Sequence, residues 1–495
     1  MNKKSLGAMM KKIIALLITV IVAVCLYGVS KNQNIFNNTL ASSKTVITEN
    51  EVRRVETAKT FDEISYKYEA AIKEIKEGYE KQSASIKLRS CKITVEELGK
   101  IIAYLNENGC YYVDSAYTYY TDGKYVSSFN PKYTADLKDI KKYNQEINYV
   151  IDKVAKEASS FKTDVEKLIY IHNYLIENIE YDSNSHSNNI YGALVLHKTM
   201  CVGYSQAFRQ IAEKAGFKTY IVSSNSLRHA WNMVNIKGNY FFVDCTWDDP
   251  VFDELKLSDD PLSGYGCYQY FMCSEKQFVE NEHNANDYVV NGESVMGIVT
   301  DTLYDDFVWR DYQSLMKYSN GSWYHDYGYS GDSINSSRDV KFSIDEITFL
   351  SNKNYDKKTV RTIKTCWKTG IEYYIIFEST LQNIDDFIYY FTADGIYRLE
   401  SKGRFNGKSD LLIFENPTQK NIYDFIVDTE NGKFTVMYGS NYDYTEKNAV
   451  TETYNIADFF CKVQEHQYVL HDESEETGEK VYICSACHNV MKEIS

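Results

Sequence analysis

The period of the hydrophobic pattern changes near residue 290, and this change limits the fold more than any other feature. Before it, apolar residues recur at helical steps of three and four. After it, short aromatic and β-branched runs alternate with Gly, Asn and Asp, which is typical of strands joined by tight turns. A chain of 495 residues is long enough for about three folded units. The pattern predicts an α+β protein with a helical N-terminal segment and a β-rich C-terminal domain.

The N-terminus carries an export signal. Lysines precede an apolar run from Ile13 to about Val29, which predicts a secretory signal peptide with Gly28-Val29-Ser30 as its cleavage site. An uncleaved membrane anchor stays open, because about 17 apolar residues nearly span a bilayer. A lipoprotein attached at Cys25 is the weaker alternative, because bulky Val24 precedes that cysteine. We therefore expect an extracellular or cell-surface location in a bacterium.

Composition excludes several classes of protein. Hydrophobic residues make up 44% and charged residues 25%, which argues against a multispanning membrane protein and against a disordered chain. The net charge of −15 argues against a nucleic-acid partner, because an acidic surface repels phosphate backbones. Eleven cysteines in a chain of this length do not form a dense disulfide framework.

The helical half contains three informative stretches. The spacing of Phe61 through Tyr79 predicts a surface helix, and Thr94 with Glu97 has the pattern of a capping box. One long helical stretch is predicted from about 135 to 178. The predicted segments are a signal peptide or anchor at 1–30, a linker and helix at 31–90, a small α/β region at 91–155, a core with the chemistry at 156–285, the β-rich domain at 290–460 and a Cys/His tail at 461–495.

Cys201 stands at the start of a predicted helix that ends before Gly216. The apolar face of this helix is formed by Tyr204, Phe208, Ile211 and Ala215. A thiol must be a thiolate to attack an amide, and the unpaired N–H groups of a first helical turn favour an anion. The same groups suit an oxyanion. Gly203 keeps this turn small, so we expect a substrate backbone to approach closely there.

His229 and Asp244 lie on two predicted strands of one hairpin. They are fifteen residues apart, so any loop with an even number of residues puts them on one face of the sheet. A register centred between Ile236 and Lys237 would set them directly opposite, whereas a three-residue loop would separate them. If they meet, Asp244 accepts the Nδ1 proton of His229 and leaves Nε2 for Cys201, which is the logic of a catalytic triad.

Three blocks around these residues resemble the motifs of the transglutaminase-like superfamily. Residues 199–208 are similar to its Cys motif, 229–232 to its His motif and 240–250 to its Asp motif, and 167–175 resembles the helix that leads into them. The resemblance implies a papain-like core and acyl transfer through a thioester, to an amine or to water. It also implies the roles of nucleophile for Cys201, base for His229 and orienter for Asp244, with no cofactor for the catalysis.

Two features of this segment depart from the family pattern or stay open. Cys245 follows Asp244 where such motifs often have a small residue or Pro, and this second thiol is either buried and inert or able to pair oxidatively. Tyr191 and Gln206 are both candidates for a side-chain donor to the oxyanion, and no spacing selects between them.

The tail predicts a small metal or disulfide site. Cys484 and Cys487 form a CxxC, and Cys461 and His466 precede it. Four such residues can hold a structural zinc ion, whereas outside the cell the cysteines can form a disulfide instead. The sequence favours neither alternative.

The preferred interpretation is an exported cysteine acyltransferase or peptidase that acts on a peptide or protein substrate, including cell-wall peptide. Association of the N-terminus with the membrane is part of this interpretation. The alternative is a catalytically silent scaffold whose aromatic β-rich domain binds surface protein or glycan. Transfer versus hydrolysis, the substrate and the oligomeric state stay open.

Overall fold

The protein has an α+β fold, in which helices dominate up to residue 214 and strands dominate beyond it. A computed structural model describes residues 63–183, 187–249, 266–310, 312, 314–319, 321–329, 339–366, 381–384, 387–392, 394–399, 410–428, 431–439, 450–459, 468–473, 479–484 and 490–494. The predicted signal or anchor and the predicted linker lie outside these residues. Within the described ranges, no helix is both long and apolar enough to cross a membrane.

The N-terminal elements form a small α/β layer. They are α1 (Glu63–Lys67), α2 (Glu69–Glu80), β1 (Ile86–Lys87), α3 (Val95–Glu107), β2 (Val113–Thr121) and β3 (Val126–Tyr133). The strands form an antiparallel sheet in the order β1-β3-β2. Thr94 and Glu97 form the predicted capping box, in which each side chain accepts a hydrogen bond from the backbone N–H of the other residue.

The long helical stretch predicted from 135 to 178 is two helices, so that prediction is wrong. These are α4 (Leu137–Ala158) and α5 (Asp164–Asn178). The break is caused by a second capping box, in which the Thr163 hydroxyl accepts from the Glu166 N–H and Glu166 accepts from the Thr163 N–H. A residue that caps a new helix has extended backbone angles, so the first helix has to end before it.

The central elements hold the predicted core. They are β4 (Glu180–Tyr181), α6 (Ile190–Leu194), β5 (Lys198–Thr199), α7 (Cys201–Lys214), β6 (Lys218–Ser224), β7 (His229–Ile236), β8 (Asn239–Val243), β9 (Phe271–Cys273), α8 (Glu275–Glu280), β10 (Val289–Val290) and β11 (Glu293–Ser294). Six strands form an antiparallel sheet in the order β11-β10-β6-β7-β8-β9. Strands β4 and β5 form a separate parallel pair.

The six-stranded sheet separates two hydrophobic clusters because side chains alternate along each strand. On one face, Val234 and Phe241 belong to a cluster that includes the buried face of α7 and continues from Ile64 to Phe349. On the other face, Trp231 and its neighbours pack against α8. The helix with Cys201 is therefore fixed to the sheet by continuous apolar packing.

Short strands follow the core, as the change of period predicts. They are β12 (Lys317–Ser319), β13 (Ser322–Tyr329), β14 (Asp339–Phe349), β15 (Tyr355–Cys366), β16 (Leu381–Ile384), β17 (Phe387–Thr392), β18 (Gly395–Arg398), β19 (Leu411–Glu415), β20 (Asn421–Asp428), β21 (Lys433–Gly439) and β22 (Val450–Asn455), followed by α9 (Ile456–Phe459). They form antiparallel sheets β12-β13-β14-β15, β16-β17-β18-β19 and β20-β21-β22.

The tail contains a three-stranded antiparallel sheet. Its strands are β23 (Tyr468–Glu473), β24 (Glu479–Cys484) and β25 (Val490–Ile494). Cys484 is the last residue of β24, whereas Cys461, His466 and Cys487 lie outside the described residues. The choice between zinc and a disulfide stays a prediction, as do the boundaries of the predicted segments.

Candidate active site

Cys201 is the first residue of α7, at the end of the helix where backbone N–H groups lack intrahelical partners. Met200 precedes it in extended conformation and supplies no side-chain cap. The thiol is free and half-buried. The N–H groups at a helix N-terminus favour an anion, and those of Cys201 and Val202 suit a tetrahedral oxyanion. The Gly203 N–H already donates to Asn188 Oδ1 at 3.2 Å and to the Met200 carbonyl at 3.0 Å.

Gly203 is required for packing. A Cβ atom at this position would lie 2.0 Å from Thr199 Oγ1 and 2.8 Å from the carbonyl oxygen of Asn189. The chain itself therefore fills the space on the Cβ side of this residue, and the approach of a substrate backbone stays a prediction. The absence of a side chain lets α7 begin directly against β5.

A short chain of hydrogen bonds connects the first turn of α7 to strand β7. The Ser205 hydroxyl donates to the Cys201 carbonyl at 2.7 Å, and the buried Asn232 amide donates to the Ser205 carbonyl at 2.9 Å. Asn232 lies three residues from His229 on the same strand. These bonds fix the helix that carries the thiol against the strand that carries the imidazole.

The hairpin of β7 and β8 turns through two residues, Lys237 and Gly238, which both have positive φ. This even loop places His229 and Asp244 on one face, but the register differs from the one that sets them directly opposite. Ile236 pairs with Asn239, so the two residues are diagonal neighbours. Asp244 follows β8, and its N–H donates to the Tyr270 carbonyl at 3.1 Å.

The His229 ring meets the Asp244 carboxylate through Nε2, with 2.6 Å between Nε2 and Oδ2. The nitrogen predicted to face Asp244 was Nδ1, so that assignment is reversed. Since Asp244 occupies Nε2, the nitrogen left for Cys201 is Nδ1. The roles of nucleophile, base and orienter stay predictions.

His229 and Asp244 each shift the pKa of the other in the direction that favours its charged form. Burial alone would lower the pKa of His229, but the charge and hydrogen bond of Asp244, together with a hydrogen bond and charge from Cys201, raise it to about 10. Burial alone would raise the pKa of Asp244, but His229 and His283 outweigh it and hold this pKa well below its usual range. The imidazole is therefore cationic and the carboxylate anionic at neutral pH.

The sequence analysis missed His283. Its Nε2 lies 2.9 Å from Asp244 Oδ2, so two imidazoles meet the same carboxylate oxygen. The other oxygen, Oδ1, accepts hydrogen bonds from the N–H groups of Thr246 and Trp247 at 3.0 and 3.2 Å. His283 lies 39 residues beyond Asp244 and outside every motif, so only the tertiary structure could reveal it.

The same three side chains form a cluster whose ligand atoms lie within 4.8 Å of one another. Two ligands of one zinc ion lie roughly 3.4 Å apart, given metal–ligand bonds of about 2.1 Å. The observed separations of 2.6 and 2.9 Å are shorter than that. His229, Asp244 and His283 are therefore arranged as hydrogen-bond partners and not as metal ligands.

The remaining sequence candidates lie in other surroundings. Cys245 is buried and free, and burial raises its pKa well above the usual range. Gln206 is buried, accepts from the Ile190 N–H and donates to the Asn106 carbonyl. The Tyr191 ring packs on the rings of Tyr111 and Tyr143. Gln206 is thus committed to structural hydrogen bonds, and Tyr191 to aromatic packing.

Comparison with known proteins agrees with this geometry. Residues 152–245 match the family model of the transglutaminase-like superfamily, and the matched segment includes Cys201, His229 and Asp244. No curated protein matches the sequence significantly. Five chains of solved structures match, among them one described as "Crystal structure of a TGase".

That structure is 16% identical over 34% of this chain and 53% of its own chain, with a TM-score of 0.20. The chain therefore spans about half the length of the solved structure, and overlap at this level supports no argument about function. The family match and the arrangement of helix and sheet make the core transglutaminase-like, with a papain-like placement of its helix and strands.

Proposed function

We propose that the transglutaminase-like core carries out thiol-dependent acyl transfer on peptide amides, with Cys201, His229 and Asp244 as its catalytic triad. One observation carries the proposal: His229 is held by Asp244 through Nε2, and a hydrogen bond with Cys201, at the N-terminus of α7, also contributes to the raised pKa of His229.

The chemistry follows from the positions of these atoms. The Cys201 thiolate attacks the carbonyl carbon of an amide, and first-turn N–H groups of α7 stabilise the oxyanion. Imidazolium Nδ1–H of His229 gives its proton to the leaving amine, and the C–N bond breaks to leave a thioester on Cys201. The neutral imidazole then takes a proton from the incoming amine or water, which displaces the sulfur.

The decisive experiment offers the purified chain a glutamine-containing peptide and a labelled amine. Incorporation of the amine means transfer, whereas released ammonia or cleaved peptide means hydrolysis. Cys201→Ala should remove both activities. Cys91→Ala is the matched control, because Cys91 is also free and half-buried but its pKa is raised, mainly by burial.

Thiol reactivity tests the proposal without a known substrate. Cys201 should be alkylated by iodoacetamide much faster than Cys91 at about pH 6.5, because only an activated thiol is ionised there. Equal labelling of the two cysteines would contradict the proposal and favour the silent scaffold with a binding β-rich domain.

The cellular setting belongs to the same proposal. Export by the N-terminal signal or anchor would bring the core to peptide or cell-wall substrates at the surface. A zinc ion or disulfide at Cys461, His466, Cys484 and Cys487 would stabilise the tail without taking part in the chemistry. Metal analysis and thiol counting on the isolated protein distinguish these two alternatives.

A further inference from the structure

We infer that His283 is a positioning residue of the proposed active site, which holds Asp244 Oδ2 against His229. This inference rests on the proposed function and adds a fourth side chain to it. His283 lies beyond residues 152–245, so the family match does not include it.

The first support is that each oxygen of the Asp244 carboxylate accepts two hydrogen bonds. Oδ2 accepts from Nε2 of His229 and of His283, and Oδ1 accepts from two backbone N–H groups. A buried carboxylate with about four lone-pair sites filled has one orientation. The two backbone bonds fix Oδ1, and His283 fixes the oxygen that His229 uses.

The second support is the aromatic surroundings of the His283 ring. The ring is fully buried, with centroids 3.8 Å from Phe278, 4.1 Å from Trp247 and 4.8 Å from Tyr270. The main chain is also held, because the Tyr288 hydroxyl donates to the His283 carbonyl. A ring packed on several sides is a rigid donor.

The third support is the other nitrogen of the ring. Among the described residues, His283 Nδ1 is buried and has no hydrogen-bond partner. A proton on this nitrogen would be left unsatisfied, whereas a proton on Nε2 is directed at Asp244 Oδ2.

Among the described residues, few titratable groups contact the His283 ring. Asp244 faces Nε2, the His229 ring lies 5.7 Å away between centroids, and Tyr270 and Tyr288 pack from the neighbouring segments. Burial raises the pKa of Tyr270 above its usual range and raises that of Tyr288 to about 12. Both tyrosines are neutral over the working range, so a change in the pH profile of alkylation reports on Cys201, His229 and Asp244.

The test measures the rate of Cys201 alkylation by iodoacetamide against pH, in the full chain, by peptide mass spectrometry. The variants are His283→Phe, which keeps the ring and removes the donor, and His283→Gln, which restores a donor. His172→Phe is the matched control, because His172 is equally buried and bonds Asp248 at 3.0 Å.

We expect His283→Phe to slow alkylation at about pH 6.5 by roughly tenfold, a fraction of the roughly 10²–10⁴-fold effect of a positioned base. It should also move the pH at which His229 loses its proton to a lower value. His283→Gln should recover most of both effects, and His172→Phe should show neither.

Two outcomes overturn the inference. One is a folded His283→Phe variant with the pH profile and rate of the wild type, and the other is a His283→Gln variant as impaired as His283→Phe. If wild-type Cys201 is no more reactive than Cys91, the proposed function itself fails, so the two failures are distinguishable.

Discussion

Two buried aspartates of the described core, Asp244 and Asp248, are paired with histidines, and we propose a catalytic role for only one of them. His229 meets Asp244 at 2.6 Å, and His172 meets Asp248 at 3.0 Å, in both cases through Nε2 and Oδ2. The second nitrogen of His172 lies 3.3 Å from the Asn173 side-chain oxygen. The second nitrogen of His229 is left for a thiol.

The carboxylates of Asp244 and Asp248 also differ in the direction in which their pKa is shifted. His229 and His283 hold the pKa of Asp244 below its usual range against the effect of burial, whereas burial raises the pKa of Asp248 despite its bond to His172. Asp248 also accepts from the Tyr270 N–H and the Cys267 thiol. The pair of the proposed triad thus differs from the His172–Asp248 pair in the partner of its second ring nitrogen and in the direction in which the carboxylate pKa is shifted.

The largest expected effect comes from replacing the two carboxylates in turn. Asp244→Asn should lower kcat/KM for acyl transfer by roughly 10³–10⁴-fold, because an amide neither fixes the His229 tautomer nor stabilises its cation. Asp248→Asn should leave kcat/KM close to that of the wild type. Steady-state kinetics of both variants checks this, and equal losses would show that the two pairs do not differ as argued.

The next largest expected effect is on the pH dependence of kcat/KM, which reports on His229. His229 has a pKa raised to about 10, so its protonated form is complete at neutral pH and is lost as pH rises through that value. Acyl transfer needs this proton for the leaving amine, so kcat/KM should fall as the pH rises above about 10.

In Asp244→Asn this fall should begin at lower pH, because the main cause of the raised pKa is gone. A profile of kcat/KM against pH for wild type and variant is the measurement. An alkaline fall at the same pH in both proteins would contradict the assignment to His229.

The pair of His172 and Asp248, in which both ring nitrogens have partners, should contribute to the stability of the fold instead. His172→Ala removes a ring that stacks on Tyr268 and leaves Asp248 without its imidazole donor. Breaking a buried pair on one side costs about 3 kcal/mol of unfolding free energy. Denaturant unfolding should show this loss while the alkylation rate of Cys201 stays unchanged, and a slowed alkylation in a folded variant would show coupling between the pairs.

The sequence was sufficient for parts of this site that depend on local pattern. Cys201 begins a helix because an apolar face follows it at helical spacing, and the motif blocks identify His229 and Asp244. The sequence also contains the signal for the break between α4 and α5, since Thr163 and Glu166 have the spacing of a capping box. The apolar pattern continues on both sides of this signal, and that continuity led to the prediction of one helical stretch.

Other features depend on how distant segments meet, so no local pattern could predict them. The nitrogen that faces Asp244 depends on the side from which the carboxylate approaches the ring, and His283 arrives from a segment beyond β9. The role of Gly203 depends on Thr199 and the Asn189 carbonyl, which are brought close by α6 and β5. Each of these is a consequence of packing between elements.

The smallest expected effect comes from removing the side chain that faces the second ring nitrogen of His172. Asn173→Ala removes the oxygen that faces His172 Nδ1 and accepts from the Tyr268 hydroxyl, and it removes the amide that donates to the Met316 carbonyl. We expect a loss of about 1–2 kcal/mol in unfolding free energy, since buried partners are left unsatisfied. Because Asn173→Ala frees the nitrogen of His172 without placing a thiol beside it, peptide mapping after alkylation should find no newly reactive cysteine. A newly reactive Cys267, which donates to the same Asp248, would show that a freed imidazole is enough to activate a neighbouring thiol.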